Sequence, residues 1–262
     1  MDATTGIVTI VILLLAFVVS VLSTVIVRAR RQGIILRHLP AYAHLSQWTS
    51  EALEADRPMH FSFGGAGLAT TAPLTLANTE TFTLLANRAT VGTQTPLMTM
   101  SDSATLPLGY DVMRRAYRMR GRIDQFQLGA VQWYPEGARS LAFAAALTGI
   151  AADRRVSSHL LLGSYGAEVA LVLDAAARRG QKSVAASDQL EGQAVAFAMA
   201  DAPLIGEEMF AGPAYLGGSA PQVGSIVALD LLRILLILTL GALTLYQLIS
   251  SGALNALLGG GR

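Results

Sequence analysis

Two long apolar runs, one near each end of the chain, dominate the pattern of hydrophobic and polar positions. The first run, residues 7–27, contains 21 residues without a charge. A helix of that length rises about 30 Å, which matches the hydrocarbon core of a bilayer. The second run, residues 226–254, is uncharged except for Asp230 and Arg233 near its start. The two runs predict a transmembrane helix on each side of a polar central segment.

Cationic side chains flank the first run on one side only. Arg28, Arg30 and Arg31 follow it, and no Lys or Arg precedes it. The positive-inside rule therefore predicts a protein of the inner (cytoplasmic) membrane with a cytoplasmic central domain and with residues 1–6 and 255–262 outside. A cleaved secretory signal would need a cation before the run and small residues at a cleavage site, so we interpret the run as a retained anchor.

Asp230 and Arg233 share one face of the second helix and are close enough to pair. A span that starts near residue 234 leaves the pair at the cytoplasmic edge, with the Arg233 guanidinium extended to the interface. A span that starts near residue 226 makes it an intramembrane pair that could serve ions or protons. We favour the shorter span, because it keeps both charges hydrated.

Residues 58–211 alternate short β-branched or apolar runs with longer Ala- and Leu-rich stretches, which is typical of strands and helices in turn around a parallel sheet. Strands are predicted at residues 60–63, 97–100, 129–134, 159–162 and 183–186, and helices at residues 76–90, 108–120, 136–152, 167–179 and 189–199. The fold class is therefore α/β: a mainly parallel, Rossmann-like layered domain between two transmembrane helices.

The segments that join this domain to the two runs differ in character. Residues 28–57 form a juxtamembrane amphipathic segment, in which a helix starting at Pro40 carries an apolar stripe of Tyr42, Leu45, Trp48 or Thr49, and Ala52. The stripe could lie on the membrane surface or pack on the domain, and its acidic neighbours favour packing because an anionic leaflet would repel them. Residues 212–225, rich in Gly and Pro, are predicted to be a linker.

Composition excludes several chemistries. The chain has no cysteine, so disulfides, thiolate metal sites and cysteine nucleophiles are ruled out. Residues 29–225 carry 16 basic and 16 acidic side chains, which argues against nucleic acid as a partner. Four scattered histidines give no metal-ligand spacing, and no cofactor is predicted. Serine hydrolysis is disfavoured, because Leu162 stands where the nucleophile elbow around Ser164 needs a glycine.

Four loops that follow predicted strands contain either glycine turns or Ser–Asp caps. Their residues are Gly64, Gly65, Gly67, Ser101, Asp102, Gly163, Ser164, Gly166, Ser187 and Asp188. In a parallel sheet these loops share the edge where α/β proteins bind ligands, and glycine-lined helix starts favour phosphate groups. Tight turns and helix caps are the favoured explanation, because neither a dinucleotide fingerprint nor a P-loop lysine is present and the two aspartates would repel an anion.

The densest charge feature is a run of arginines on a predicted helix, in which Arg114, Arg118 and Arg122 form a stripe at four-residue spacing. A solvated face is the usual explanation of such a run. The stripe could also contact anionic lipid headgroups, a phosphate ligand or an acidic partner.

Three central motifs lie between the two runs: residues 58–64 (PMHFSFG), 132–137 (QWYPEG) and 163–168 (GSYGAE). In this order the chain resembles a family of uncharacterised bacterial two-span membrane proteins, known as a domain of unknown function. The resemblance covers nearly the whole chain. It implies a bacterial membrane location and assigns no activity and no catalytic residue.

Two functional hypotheses remain. The first is a non-catalytic, membrane-tethered scaffold whose domain organises a homo-oligomer or a membrane complex. The second is a membrane-bound enzyme or sensor that binds a phosphorylated small molecule at the loop edge. Transport through the spans is a third, which would need oligomers held by small residues such as Ser20, Ser23 and Thr24 or Gly241 and Ala242.

Overall fold

The computed structural model describes residues 3–29, 36–136, 140–153 and 155–250. It divides into two compact units, one made of residues 1–36 with 219–262 and the other of residues 37–218. Arg30, Arg31 and the predicted external tail 255–262 lie outside the described residues.

The first unit contains two long apolar helices, α1 (Ala3–Ala29) and α9 (Ala220–Ser250). Their stretches of 21 residues (Thr9–Ala29) and 28 residues (Ala220–Gln247) are long and apolar enough to cross a membrane. The helices pack on each other where Gly224 meets Thr24, and a Cβ on Gly224 would lie 2.8 Å from the Thr24 Cα. Ser23 is fully buried. Of the small residues considered for contacts between copies, Ser23 and Thr24 are therefore used within one chain, whereas Gly241 and Ala242 are exposed.

The C-terminal boundaries differ from the sequence prediction. Helix α9 starts at Ala220, six residues before the predicted span, and both Asp230 and Arg233 are exposed on it. The predicted linker 212–225 is wrong at both ends, because residues 212–216 form helix α8 (Gly212–Leu216) against the domain and residues 220–225 belong to α9, which leaves only residues 217–219 between them. The glycine of α8 serves close packing, since a Cβ on Gly212 would lie 2.3 Å from the Thr81 hydroxyl. Proline in the first turn suits a helix because no amide hydrogen is required there.

Six parallel strands form the sheet of the second unit, in the order β3-β2-β1-β4-β5-β6. They are β1 (Met59–Gly64), β2 (Leu97–Met100), β3 (Val131–Trp133), β4 (Ser158–Ser164), β5 (Lys182–Ser187) and β6 (Ala202–Pro203). This is the doubly wound arrangement, so the predicted α/β class and the parallel sheet are confirmed. The two-residue edge strand β6 was not predicted, because it is too short for a periodic signal and contains a proline.

Helices cover both faces of the sheet. They are α2 (Pro40–Glu54), α3 (Ala72–Ala89), α4 (Leu106–Met119), α5 (Leu141–Ala152), α6 (Val169–Ala177) and α7 (Leu190–Met199). Right-handed crossovers place α3 and α4 on one face and α5, α6 and α7 on the other. Strand β1 is accordingly buried along its whole length, as expected for a parallel strand covered on both sides.

Helix α2 packs on the domain, as the sequence favoured. All the residues of its predicted stripe are buried, and Leu45 is completely so. The Tyr42 hydroxyl donates a hydrogen bond of 2.6 Å to the Glu208 carbonyl, and its ring stacks on that of Tyr215 at 5.1 Å between centroids. The helical part of the juxtamembrane segment therefore belongs to the domain.

Strands β1 and β4 approach each other too closely for a side chain at two positions. A Cβ on Gly163 would lie 1.8 Å from the Phe63 carbonyl oxygen. Gly64 has a φ of +59°, in the left-handed region, and a Cβ there would lie 2.4 Å from the Ser164 carbonyl oxygen. These glycines let the two strands end side by side at the centre of the sheet.

We expect Gly163→Ala to lower the free energy of unfolding by about 3 kcal/mol or more, because the two central strands must separate to admit a methyl group. Gly129→Ala is the matched control. Gly129 lies in the short 3-10 turn Leu128–Ala130, and a Cβ added there would meet nothing within 4 Å, so alanine should change the free energy of unfolding by no more than about 0.5 kcal/mol. Denaturant titration of both variants measures the difference, and equal effects would contradict the close approach.

Candidate functional site

The carboxyl ends of β1 and β4 form the switch point of the sheet, where the chain turns to opposite sides and where α/β proteins of this topology bind ligands. The four predicted loops gather there. The Gly65 amide donates to the Ser164 carbonyl at 2.9 Å, and the Ser101 amide donates to the Gly64 carbonyl at 2.9 Å. The Tyr165 amide donates to the Ser187 hydroxyl at 3.0 Å. The structure therefore brings the glycine turns and the Ser–Asp caps to one sheet edge.

Tyr165 occupies the switch point. Its side chain is buried, and its hydroxyl donates to the Ser62 carbonyl at 2.9 Å. Gly64 lies against the ring, since a Cβ there would be 2.8 Å from Cζ. Burial raises the pKa of the Tyr165 hydroxyl, which stays protonated. The sequence analysis considered this residue only within the motif 163–168 and the disfavoured nucleophile elbow, so its buried hydrogen bond to β1 was missed.

Amide groups that a phosphate would need are already bonded within the chain. In the first glycine turn, the Gly67 amide donates to the Thr71 hydroxyl at 2.8 Å. At the start of α6, the Gly166 amide donates to the Glu168 carboxylate at 2.8 Å. In the Ser–Asp loops, side chains cap the backbone amides: the Asp102 carboxylate accepts from the Ala104 amide at 2.8 Å, and the Ser187 hydroxyl accepts from the Gln189 amide at 3.0 Å. An anion at these turns would have to displace internal hydrogen bonds.

Carboxylates line the same edge. A Cβ on Gly67 would lie 1.7 Å from an Asp102 carboxylate oxygen, and one on Gly65 would lie 3.1 Å from a Glu136 carboxylate oxygen. Glu136, which the sequence analysis did not single out, also accepts a hydrogen bond of 2.8 Å from the Ser140 hydroxyl. Asp188 is exposed to solvent. Negative charge beside both glycine turns disfavours a phosphorylated ligand.

Arg114 and Arg118 are exposed on α4, beside a groove of about 530 Å³ that Tyr110 and Leu128 also line. The predicted stripe is wrong in its third member, because α4 ends at Met119 and the chain turns at Gly121 with a φ of +66°. Arg122 instead donates to the carbonyls of Thr90, the C-cap of α3, and of Val91 and Gly92 just beyond it, over 3.3–3.5 Å. It stabilises the end of that helix.

Two of the four histidines, His38 and His44, border a cavity of about 420 Å³ beside β6. An ion pair of 2.9 Å between Arg37 and Glu208 lies at the same cavity. Among the described residues, no group of three or more His, Asp or Glu side chains is arranged to hold a metal ion.

The other two histidines form a buried pair that sequence reasoning missed. His60 on β1 and His159 on β4 are register partners, and their Nδ1 atoms are 2.9 Å apart. The spacing of 99 residues gives no local signal, and only the pairing of the two strands reveals the contact. Burial lowers the pKa of His159 to about 4, and burial together with the neighbouring His159 lowers the pKa of His60 well below its usual range. Both imidazoles are therefore neutral.

A series of hydrogen bonds runs through this pair. The Gln181 side-chain amide donates to the Asp153 carbonyl at 2.9 Å, so its oxygen accepts from His159 Nε2 at 2.9 Å. A neutral His159 that donates from Nε2 accepts at Nδ1, and His60 must then donate from Nδ1.

At the other end of the series, His60 Nε2 is left as an acceptor for the Thr99 hydroxyl at 2.9 Å. The Ser62 hydroxyl, 2.9 Å from that of Thr99, completes the series. Each buried polar group in it has a partner without any charge, which is the condition for burying polar side chains at low cost.

Fold and site together define a class of protein: a doubly wound α/β domain whose turns at the switch point are hydrogen-bonded within the chain, with an apolar helix near each end of the sequence. The chain belongs to the family described as domain of unknown function DUF6754, whose profile matches residues 3–256. The predicted resemblance is thus confirmed at the level of the family. No curated protein and no solved structure matches the chain.

The histidine pair makes stability depend on pH. Because the pKa values of the folded imidazoles are lowered, the unfolded chain binds protons first as the pH falls below about 6.5. The contribution of the two neutral imidazoles to the free energy of unfolding is therefore fully present above about pH 6.5. It decreases between about pH 6.5 and pH 4, by about 1.4 kcal/mol per pH unit for each histidine that stays neutral in the folded state.

Urea titrations from pH 7 to pH 4.5 measure this slope. We expect His159→Gln to reduce it and His38→Gln, at an exposed position, to leave it unchanged. Identical slopes in all three proteins would contradict the assignment of neutral buried imidazoles.

Proposed function

We propose that this chain is a membrane-tethered, non-catalytic scaffold whose α/β domain organises a homo-oligomer or a membrane complex. The observation that carries the proposal is the internal bonding of the switch point. The Tyr165 side chain is buried in the core with its hydroxyl on the Ser62 carbonyl, and the amides of Gly67 and Gly166 in the neighbouring turns are bonded within the chain. The loops that would bind a substrate in an enzyme of this topology instead hold the sheet and its helices together.

Membrane attachment through both apolar helices is part of the proposal. We infer that the chain lies in the inner membrane with both termini outside and with the domain in the cytoplasm, where Arg28 at the end of α1 meets the lipid headgroups. Arg114 and Arg118 suit contacts with anionic lipid or an acidic partner, because both are exposed and no hydrogen-bond or ion-pair partner is found for them among the described residues.

The absence of cysteine makes this topology testable with single cysteines. We expect a membrane-impermeant maleimide to label Gly260→Cys on intact cells, and to label Met119→Cys only after the membrane is permeabilised. Met119 is 72% exposed on the domain, so access to the reagent is limited by the membrane alone. Labelling of Met119→Cys on intact cells would overturn the proposed orientation.

A membrane-bound enzyme or sensor for a phosphorylated small molecule is the second candidate. The observation in its favour is that all four loops meet at the edge where doubly wound sheets bind ligands. The carboxylates of Asp102 and Glu136 beside the first glycine turn disfavour this candidate, because they would repel a phosphate group.

The two functions are separated on the solubilised full chain. The scaffold predicts a particle larger than one chain, or a stoichiometric protein partner, and no thermal stabilisation by nucleotides or sugar phosphates. A bound ligand at a hundredfold excess over its dissociation constant would add about 2.7 kcal/mol to the free energy of unfolding. A strictly monomeric protein without a partner, or a clear stabilisation by one of these phosphates, would refute the scaffold.

A further inference from the structure

The outer surface of the layer formed by α5, α6 and α7 exposes large apolar side chains. Leu190 is 82% exposed, Phe197 73%, Leu141 50% and Leu171 49%. The three helices pack on one another in chain order, so these side chains belong to one continuous surface, which we call the α5–α7 face. Their inner sides pack on the sheet through Phe143, Leu147, Val172, Leu173 and Ala196.

This face is nearly free of charge. The three helices contain only two charged residues, Asp174 and Glu191, and Asp174 pairs with Arg178 at 2.7 Å. Between the large side chains the exposed positions are small, namely Ala142, Ala145, Gly149, Ala194 and Ala198. The opposite layer differs, since α4 alone exposes Arg114, Arg115 and Arg118. Small residues between apolar ones allow helices to approach closely.

The size of the face is that of an interaction site. Three helices about 10 Å apart and about 15 Å long cover on the order of 450 Å² in projection. The largest apolar patch on a typical monomer covers about 300–600 Å² and is often functional, and this face lies within that range. Its projected area is about half of the roughly 800 Å² that a standard interface buries per partner.

Charge decides between the occupants of this face. A helix that binds an anionic membrane surface carries Lys or Arg beside its apolar side, whereas α5 and α7 contain none. The exposed Arg178 and Arg179 follow the end of α6, and Arg178 is paired with Asp174, so a charged partner would find few groups to pair with. A second copy meets the same mostly uncharged surface across a two-fold axis, which suits an isologous interface.

We propose that the α5–α7 face binds the same face of a second copy in a two-fold dimer. This inference rests on the proposed scaffold function and names the surface through which it acts. Helix α6, in the middle of the layer, lies nearest to the two-fold axis, so Leu171 meets its own counterpart or a neighbour of it.

The test compares Leu171→Glu with Leu76→Glu in the full chain. Leu76 lies on α3 in the opposite layer and is 56% exposed, so it is matched in residue type, helix context and exposure. Because two carboxylates are buried in each dimer, we expect Leu171→Glu to raise the dissociation constant at least about thirtyfold, the effect of losing one hot-spot residue. Leu76→Glu should leave it unchanged. Light scattering of the solubilised protein over a concentration series measures both.

Cross-linking gives a second measurement, which does not require the folded protein to accept a glutamate at position 171. In the otherwise cysteine-free chain, a short bis-maleimide should join Leu171→Cys into dimers in the membrane and should leave Leu76→Cys monomeric. An oligomer whose mass is unchanged by Leu171→Glu and whose Leu171→Cys form is not cross-linked would overturn this face while leaving the scaffold standing. A wild-type chain that is monomeric and has no protein partner would refute both.

Discussion

The close approach of β1 and β4 is the constraint on which the rest of the domain depends. Their ends can lie side by side only because Gly163 leaves room for the Phe63 carbonyl and Gly64 takes a left-handed turn. That proximity puts Tyr165 within reach of the Ser62 carbonyl. The parallel sheet places the four loops at one edge, and the steric condition joins the two central ones. Backbone packing explains Gly64 and Gly163, whereas Gly67 and Gly166 lie against the Asp102 and Glu168 carboxylates.

Surface chemistry divides the domain into two unlike layers. The α3–α4 layer carries exposed arginines such as Arg114, whereas the α5–α7 layer is almost uncharged and exposes Leu171 and Phe197. Layers with such different surfaces favour different partners, because charged groups are stabilised by water or opposite charges and apolar groups by burial. In the proposed scaffold the arginine layer would meet charged neighbours and the apolar layer a second copy of the chain.

The sequence predicted the architecture well, because strand and helix periodicity is a local signal. All five predicted strands and five predicted helices of the domain are present, with boundaries that differ by a few residues. The failures have a different origin. Helix α8 was hidden by its Gly and Pro content, Arg122 was assigned to a helix that a left-handed glycine ends, and the His60–His159 contact exists only through strand pairing. Features that depend on long-range contacts were beyond prediction from one sequence.

The hydrogen-bond series through the two imidazoles has a fixed direction. The Asp153 carbonyl at one end can only accept, so it sets which way the Gln181 amide faces and, through it, the tautomer of both rings and the rotation of two hydroxyls. The six groups therefore form a row of aligned dipoles across three strands and two loops, in which one reversed member would oppose its neighbours. Mutational effects along this row will be strongly non-additive, so that Thr99 and Gln181, although on opposite sides of the pair, behave energetically as a single residue.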